Sequence, residues 1–301
     1  KQTKSSLSLD IKLAEKVIIE LSEIHKNEKL PIHVNFHGGE PLLFKHKIRE
    51  IVNGIRSRGL SDKAVEFSIQ TNGTLLDEQT VEFCKKNNMP ISISLDGGPS
   101  ENDLLRVFPD GRGTFKKVAK AIELCKNLEF DKFSVLTTIT KVNVHQLPSI
   151  TKLFDEMGIP LVKFSLFSYW GLGKSKRELA PSADDVVSAY TKILTLIEKG
   201  TLKNIFVQSL AHYIYNLVYF DRLYMCMRSP CGAGSSVITL DVDGSIYACD
   251  CGIGDQEFLL GNAKDASILD ILKSQVNMKF RKRLVHNIIP CKDCPWRGLC
   301  M

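Results

Sequence analysis

At 301 residues the chain exceeds what one hydrophobic core usually supports, so one large domain with a smaller appendage is expected. A 44% hydrophobic and 25% charged composition excludes disorder, and no apolar run is long enough to suggest a membrane span or a secretion signal, so the cytoplasm is the expected compartment. The net charge of +6, from 40 basic and 34 acidic residues, is too small for a dedicated nucleic-acid protein but suits an anionic ligand or an acidic peptide.

From residue 10 to about residue 200, amphipathic helical stretches alternate with short β-branched runs bounded by turn residues, the pattern of βα units on a parallel sheet. Leu13, Val17, Leu21 and Ile24 share one face of the first helix, and Ile48, Ile51, Val52 and Ile55 one face of the next. Strands are read at 32–37, 64–70, 90–96, 133–140 and 160–167. The fold class is α/β: a ring of parallel strands with helices outside, closed or partly closed, whose loops after the strands carry the chemistry. Residues 182–200 and about 205–225 read as helices bridging to something else, with a boundary near 225. Beyond it, 235–240, an Asp-Val-Asp-Gly turn at 241–244 and 245–249 form a hairpin, because Asp-Gly between alternating runs favours tight antiparallel pairing. The remainder is loop-rich, with one helix expected at about 267–284.

Cysteine is concentrated at the end of the chain. Seven of the nine lie beyond residue 225, whereas Cys84 and Cys125 fall in helical patterns and read as core. A region this small and loop-rich needs staples, and metal is expected over disulfides. Residues 270–301 carry seven Lys or Arg against Asp270 and Asp293. That excess reads first as a solvated helix face around Lys279, Arg281, Lys282 and Arg283, with peptide docking or nucleic-acid binding as the alternative.

Directly after the first strand stands His37-Gly38-Gly39-Glu40-Pro41. Paired glycines let a ligand approach consecutive peptide groups, and Glu40 adds a carboxylate suited to an ammonium group. In isolation this is an ordinary turn. The succession FHGGEPLL, IQTNGTLL, ISISLDGG and PDGRGTF, however, resembles the radical S-adenosylmethionine (radical SAM) superfamily, in its peptide-modifying branch, over nearly the whole chain. The resemblance implies a partial (β/α)6 TIM-like barrel over 1–200, bridging helices at 201–225 and a cysteine-rich domain at 226–301. It implies that Gly38, Gly39, Glu40 and Pro41 bind the amino group of S-adenosylmethionine, that Ser94 and Arg106 grip its carboxylate, and that Gln70 and Asn72 point into the same cavity. Arg suits a carboxylate because its fork binds bidentately, while turn chemistry alone accounts for Asn72-Gly73. His37 is a strand-end residue that could also take a role. The family's Cys-x3-Cys-x2-Cys loop, which holds the catalytic 4Fe-4S cluster, occurs nowhere in the 301 residues. It is expected just before Lys1, upstream of the helix that starts near Asp10.

The second motif is Cys231, twelve residues, Gly244, four residues, Cys249, then Cys291-x2-Cys294-x5-Cys300. It resembles the SPASM auxiliary-cluster domain, and two further cysteines of that pattern are expected past Met301. The resemblance assigns Cys231 and Cys249 to a first auxiliary 4Fe-4S cluster and Cys291, Cys294 and Cys300 to a second. Cys226 and Cys251 are unassigned, and either could complete the first. On spacing alone such pairs suit structural zinc equally well. Asp250, following Cys249, matches the position of the proposed proton acceptor in sulfatase maturases, while its plain reading is a loop-fixing hairpin-edge residue.

The function expected first is a radical SAM/SPASM maturase acting on a ribosomally made precursor peptide, giving a thioether or carbon-carbon cross-link or an oxidised product. A flavodoxin- or ferredoxin-type protein is the implied reductant. The alternative is an anaerobic sulfatase maturase making formylglycine from Cys or Ser, and the non-enzyme alternative is a zinc-stapled binding protein. Neither a membrane nor nucleic acid is an expected partner.

Overall fold

The structure, a computed structural model, describes residues 9–219 and 224–297. Its first half runs α1 (Ile11–Ile24), β1 (Ile32–Phe36), α2 (Lys45–Ser57), β2 (Val65–Thr71), α3 (Glu78–Lys86), β3 (Ile91–Ser94), α4 (Pro99–Leu105), α5 (Phe115–Asn127) and β4 (Phe133–Ile139). There follow α6 (Leu147–Glu156), β5 (Leu161–Leu166), α7 (Ala183–Glu198), β6 (Phe206–Val207), α8 (Gln208–Tyr219), β7 (Thr239–Leu240), β8 (Ser245–Tyr247), β9 (Leu259–Asn262), α9 (Ile268–Lys273) and α10 (Gln275–Arg281).

Six strands stand in sequential order in one sheet, and from β2 to β6 each pairs parallel with the next. This is the α/β architecture expected from the alternation of helices and strands. The five expected strands lie close to their expected bounds. The sixth, Phe206–Val207, falls in a stretch read as helix: it pairs Phe206 with Leu161 and Val207 with Val162, then turns straight into α8. Two residues carry no periodicity, so only the neighbouring strand makes them a strand.

The chain divides into two compact units, each discontinuous in sequence. One comprises 33–48 and 66–210 and holds most of the parallel sheet. Alternate residues of its strands, among them Phe67, Ile69, Ile91, Ile93, Val135, Ile139, Val162 and Phe164, are buried, as are Val118 and Ile122 of α5 and Phe154 of α6. Each such side chain contributes about 1.5–3 kcal/mol by leaving water.

The other unit comprises the chain through Ile32, 49–65 and 211–301. Here β7, β8 and β9 form a three-stranded sheet whose pairs are antiparallel. The expected hairpin is present: Asp241 N donates to Ser245 O at 2.8 Å and Gly244 N to Asp241 O at 3.0 Å. Helix α1, started by Asp10 Oδ1 accepting from Leu13 N at 3.2 Å, buries Leu13 and Val17 in one cluster with Ile246, Tyr247, Leu260, Ile268 and Ile271. Lys16 Nζ donates to Ala263 O at 2.8 Å and Ile268 N to Glu20 Oε2 at 2.6 Å, fixing α1 against the same core. The single helix expected at 267–284 is instead two, α9 and α10. Ser274 between them is extended, with ψ 152°, and its Oγ accepts from Asn277 N at 3.2 Å. A serine hydroxyl competes with the helical ladder and restarts the helix as a cap.

Candidate functional site

The parallel register sorts the sheet's second face into rows. Gln70, Ser92 and Ser134 align, as do Ser94, Leu136 and Lys163, and Thr138 with Ser165. These residues are half-buried where their strand neighbours are fully buried. The face is therefore mostly polar, and the loops after the strands rise from its C-terminal edge. Towards β1 a further polar chain links His33 Nε2 to Ser68 Oγ at 2.7 Å and Ser68 Oγ to Asn35 Oδ1 at 3.1 Å.

After β1 the backbone turns at Gly38, whose φ of +124° only glycine adopts without strain, and no atom lies within 4 Å of where a Cβ would stand at Gly38 or Gly39. His37 is exposed beside them. Consecutive peptide groups thus face open space, as the approach of a ligand requires. Pro41 opens a short 3-10 turn to Phe44 that is anchored by buried Leu42. The carboxylate of Glu40 is largely engaged within the protein: Oε1 accepts from Leu42 N at 3.0 Å and Thr71 Oγ1 at 2.7 Å, and Oε2 from Asn72 N at 2.8 Å. It ties the first strand's loop to the end of β2. An ionised carboxylate offers about four acceptor positions, so one more donor, an ammonium included, still fits.

The side chain of Asn72 serves its own turn, Oδ1 accepting from Thr74 N at 2.9 Å and Thr74 Oγ1 at 2.7 Å. Gln70 is half-buried on the polar face. So is Ser94, whose hydroxyl makes no hydrogen bond among the described residues. Arg106 is gripped by a residue that sequence reasoning missed. Asp96 Oδ2 accepts from Arg106 Nε at 2.6 Å, and Oδ1 accepts from Arg106 Nη2 at 3.2 Å and from Thr138 N at 2.8 Å. Asp96 is 5% exposed, so this is a desolvated, bidentate pair that leaves Nη1 of Arg106 for another acceptor. The available signal was an acid placed directly between a strand and Gly97-Gly98.

In the other unit, backbone hydrogen bonds gather the cysteine-bearing segments. Gly232 N donates to Met225 O at 3.4 Å, bringing the flanks of Cys226 and Cys231 together, and Gly234 N donates to Ala248 O at 2.8 Å, next to Cys249. Gly232 permits that approach, since a Cβ there would lie 2.9 Å from Met225 Cβ. A 3-10 turn at Asp250–Gly252 then places the ligand atoms of Cys249, Asp250 and Cys251 within 4.8 Å of one another. The Cys249 thiol donates to Asp250 Oδ1 at 2.9 Å.

A hydrogen bond to Cys251, then burial, then Asp250 hold the Cys249 thiol well above the ordinary thiol range, and the same bond draws Cys251 below it. Burial raises Cys226, against the hydrogen bond from Tyr224. Cys291 and Cys294 lie around a further 3-10 turn, half-buried and exposed, without joining a group of that tightness among the described residues. Cys300 lies outside the described residues. None of the eight described cysteines is in a disulfide, and the six of this unit, Cys226, Cys231, Cys249, Cys251, Cys291 and Cys294, are soft donors suited to iron-sulfur clusters or zinc.

Comparison with known proteins decides between these. The radical SAM superfamily model matches residues 7–154, and that of SPASM, an iron-sulfur cluster-binding domain, matches residues 231–295. The chain belongs to the radical SAM superfamily. As a radical SAM/SPASM enzyme it uses S-adenosylmethionine and a 4Fe-4S cluster, and its SPASM domain binds auxiliary iron-sulfur clusters. A cysteine-type anaerobic sulfatase-maturating enzyme of Clostridium novyi is 28% identical over 276 residues, 88% of this chain and 71% of that protein. An uncharacterized protein of Archaeoglobus fulgidus is 32% identical over 274 residues, 89% of this chain, and the chain spans 61% of its length. Among solved structures, anSMEcpe with bound AdoMet and Cp18Cys peptide superposes with a TM-score of 0.81 at 22% identity, over 97% of this chain and 80% of that one, a likeness of fold. No helix among the described residues is long and apolar enough to cross a membrane.

Proposed function

We propose that this radical SAM/SPASM enzyme oxidises a side chain of a peptide substrate, and that formylglycine formation from a peptidyl cysteine or serine stands ahead of cross-linking of a ribosomally made peptide. The observation that carries this order is Asp250, an exposed carboxylate hydrogen-bonded to the thiol of Cys249. The sulfatase-maturating relative, matched over 88% of the chain, supports the same order. A peptide partner is supported by the peptide bound in the similar fold.

When bound, S-adenosylmethionine reduced at a 4Fe-4S cluster supplies a carbon radical that removes one hydrogen atom from the substrate. The three-cysteine loop that would hold that cluster is not among these 301 residues. Gly38 and Gly39 present peptide groups to the amino end of the cofactor, with Glu40 and Pro41 fixing their turn. Arg106, oriented by Asp96, and Ser94 meet its carboxylate, and Gln70 and Asn72 line the polar face beside it. Asp250, exposed beside Cys249, takes the substrate's proton on its carboxylate. Cys226, Cys231, Cys249, Cys251, Cys291, Cys294 and Cys300 would supply the thiolates that hold the auxiliary clusters, whose chemistry there would be uptake of the second electron.

The test uses the natural protein, purified anaerobically and supplied with dithionite, S-adenosylmethionine and a synthetic peptide bearing a cysteine-type sulfatase motif. Mass spectrometry should read loss of hydrogen sulfide and gain of one oxygen at the cysteine. Asp250→Asn should abolish that product while 5′-deoxyadenosine still forms. Cofactor cleavage without peptide conversion in the unsubstituted enzyme would remove the formylglycine reading and leave cross-linking, read in a co-expressed short precursor peptide.

A further inference from the structure

Between α4 and α5 the chain forms a small hairpin. Val107 and Gly113 bridge antiparallel, Phe108 N donates to Arg112 O at 2.8 Å, and Gly111 N donates to Phe108 O at 2.9 Å. With the first turns of α5 this hairpin lines a shallow groove of about 410 Å³, walled by Phe108, Arg112, Gly113, Lys116, Lys117 and Lys120. Four of the six lining residues are cations and none is an acid.

Two acids beside the hairpin are already committed. Asp103 Oδ1 accepts from Phe115 N at 2.8 Å and Asn102 Nδ2 at 2.9 Å, and Asp110 Oδ2 accepts from Arg112 Nε at 2.8 Å. Lys116, Lys117 and Lys120 have no ion pair or side-chain hydrogen bond among the described residues. All three are exposed, and an anionic partner would add favourable charge pairing to what water and salt already screen.

The groove is also partly apolar. Phe108 forms part of its wall with the Arg112 guanidinium 5.9 Å from its ring centroid, Val107 is 50% exposed at the bridge, and Leu104 and Leu105, 66% and 40% exposed, end the helix that leads into it. A sugar-phosphate backbone gains nothing from exposed aliphatic side chains. An acidic peptide carrying aliphatic side chains satisfies both features.

We propose that this groove is a docking site for an acidic, amphipathic peptide segment, whose carboxylates meet Arg112, Lys116, Lys117 and Lys120 and whose aliphatic side chains cover Phe108 and Val107. Occupancy of the groove is measurable without any cofactor.

The probe is a short fluorescein-labelled peptide of alternating Glu-Glu and Leu-Leu pairs, titrated with the whole protein and followed by fluorescence anisotropy. Saturable binding that weakens with added salt is expected. Lys116→Glu combined with Lys120→Glu should weaken it about tenfold with the thermal unfolding midpoint unchanged, and Phe108→Ala about threefold. Lys279→Glu combined with Arg283→Glu, on the other basic surface, should bind as the unsubstituted protein does. The proposal is overturned if the Lys116/Lys120 variant keeps its affinity, or if the Lys279/Arg283 variant loses as much, which would mark a response to net charge alone. It is equally overturned if a single-stranded DNA oligonucleotide binds more tightly with the same dependence on Lys116 and Lys120.

Discussion

Replacing Glu40 should loosen the junction between the first two strand loops by a calculable amount. Its carboxylate accepts three hydrogen bonds, from Leu42 N, Thr71 Oγ1 and Asn72 N, and Thr71 is 2% exposed. Removing a charged acceptor costs about 1.5–3 kcal/mol per buried donor left behind. Glu40 and Asn72 are half-buried, so water recovers part of that, and Glu40→Ala should cost about 2–4 kcal/mol. Glu40→Gln keeps one oxygen for Leu42 N and Thr71 Oγ1 but turns its amide nitrogen toward Asn72 N–H, costing about 1–2 kcal/mol. Native-state hydrogen exchange at the Leu42 and Asn72 amides reads this locally. At 1.4 kcal/mol per decade, Ala should speed their exchange by about thirty- to a thousandfold, with Gln between Ala and the unsubstituted protein. Protection unchanged in the Ala variant, or Gln as damaging as Ala, would refute the assigned hydrogen bonding.

Asn143 is 1% exposed, donates from Nδ2 to Asp96 O and Thr138 O, and accepts from Thr140 N. Asn143→Asp sets a carboxylate against two carbonyls and should lower the thermal midpoint further than Asn143→Ala does, both costing about 2 kcal/mol or more; an Asp variant as stable as the native protein would contradict the arrangement. Burial pushes the Cys125 thiol up to about 12 and Cys84 is fully buried, so iodoacetamide applied to the folded protein should spare both while labelling Cys226, Cys231 and Cys251. Reconstitution with iron and sulfide should then protect those three; metal analysis finding zinc instead would count against the iron-sulfur assignment. Against the opposing effect of burial, three backbone N–H groups, of Lys203, Asn204 and Ile205, hold the Asp155 carboxyl below its ordinary value of 3.8. A depressed folded pKa gives stability that is present above the unfolded value and lost as pH falls through the folded one, so the gap between native and Asp155→Asn unfolding curves should close in acid below 3.8. A gap unchanged down to full protonation would be inconsistent with that role.

The sheet was readable because its strands recur between amphipathic helices, and the Gly38-Gly39 turn and the cysteine spacing were readable because they are local. What escaped depends on partners distant in sequence. Asp96 is only an acid before two glycines until Arg106 and Thr138 arrive beside it. Glu40 suggests a ligand for an ammonium group, yet donors from the end of β2 occupy most of its acceptor positions. β6 has two residues and β9 four, too few to announce an alternation, and each exists by pairing with an earlier strand. The break at Ser274 had a local signal, a cap residue within a helical run, but the apolar periodicity on both sides masked it.

The lodging of α1 within the cysteine-bearing unit bears on how that module can be moved between proteins. Leu13 and Val17 sit in one cluster with Ile246, Ile268 and Ile271, and Lys16 and Glu20 satisfy backbone groups at Ala263 and Ile268. A transplant beginning at residue 226 would leave that hydrophobic seat empty and two peptide groups without partners. A chimera built to carry the thiol array elsewhere must bring this amino-terminal helix with it.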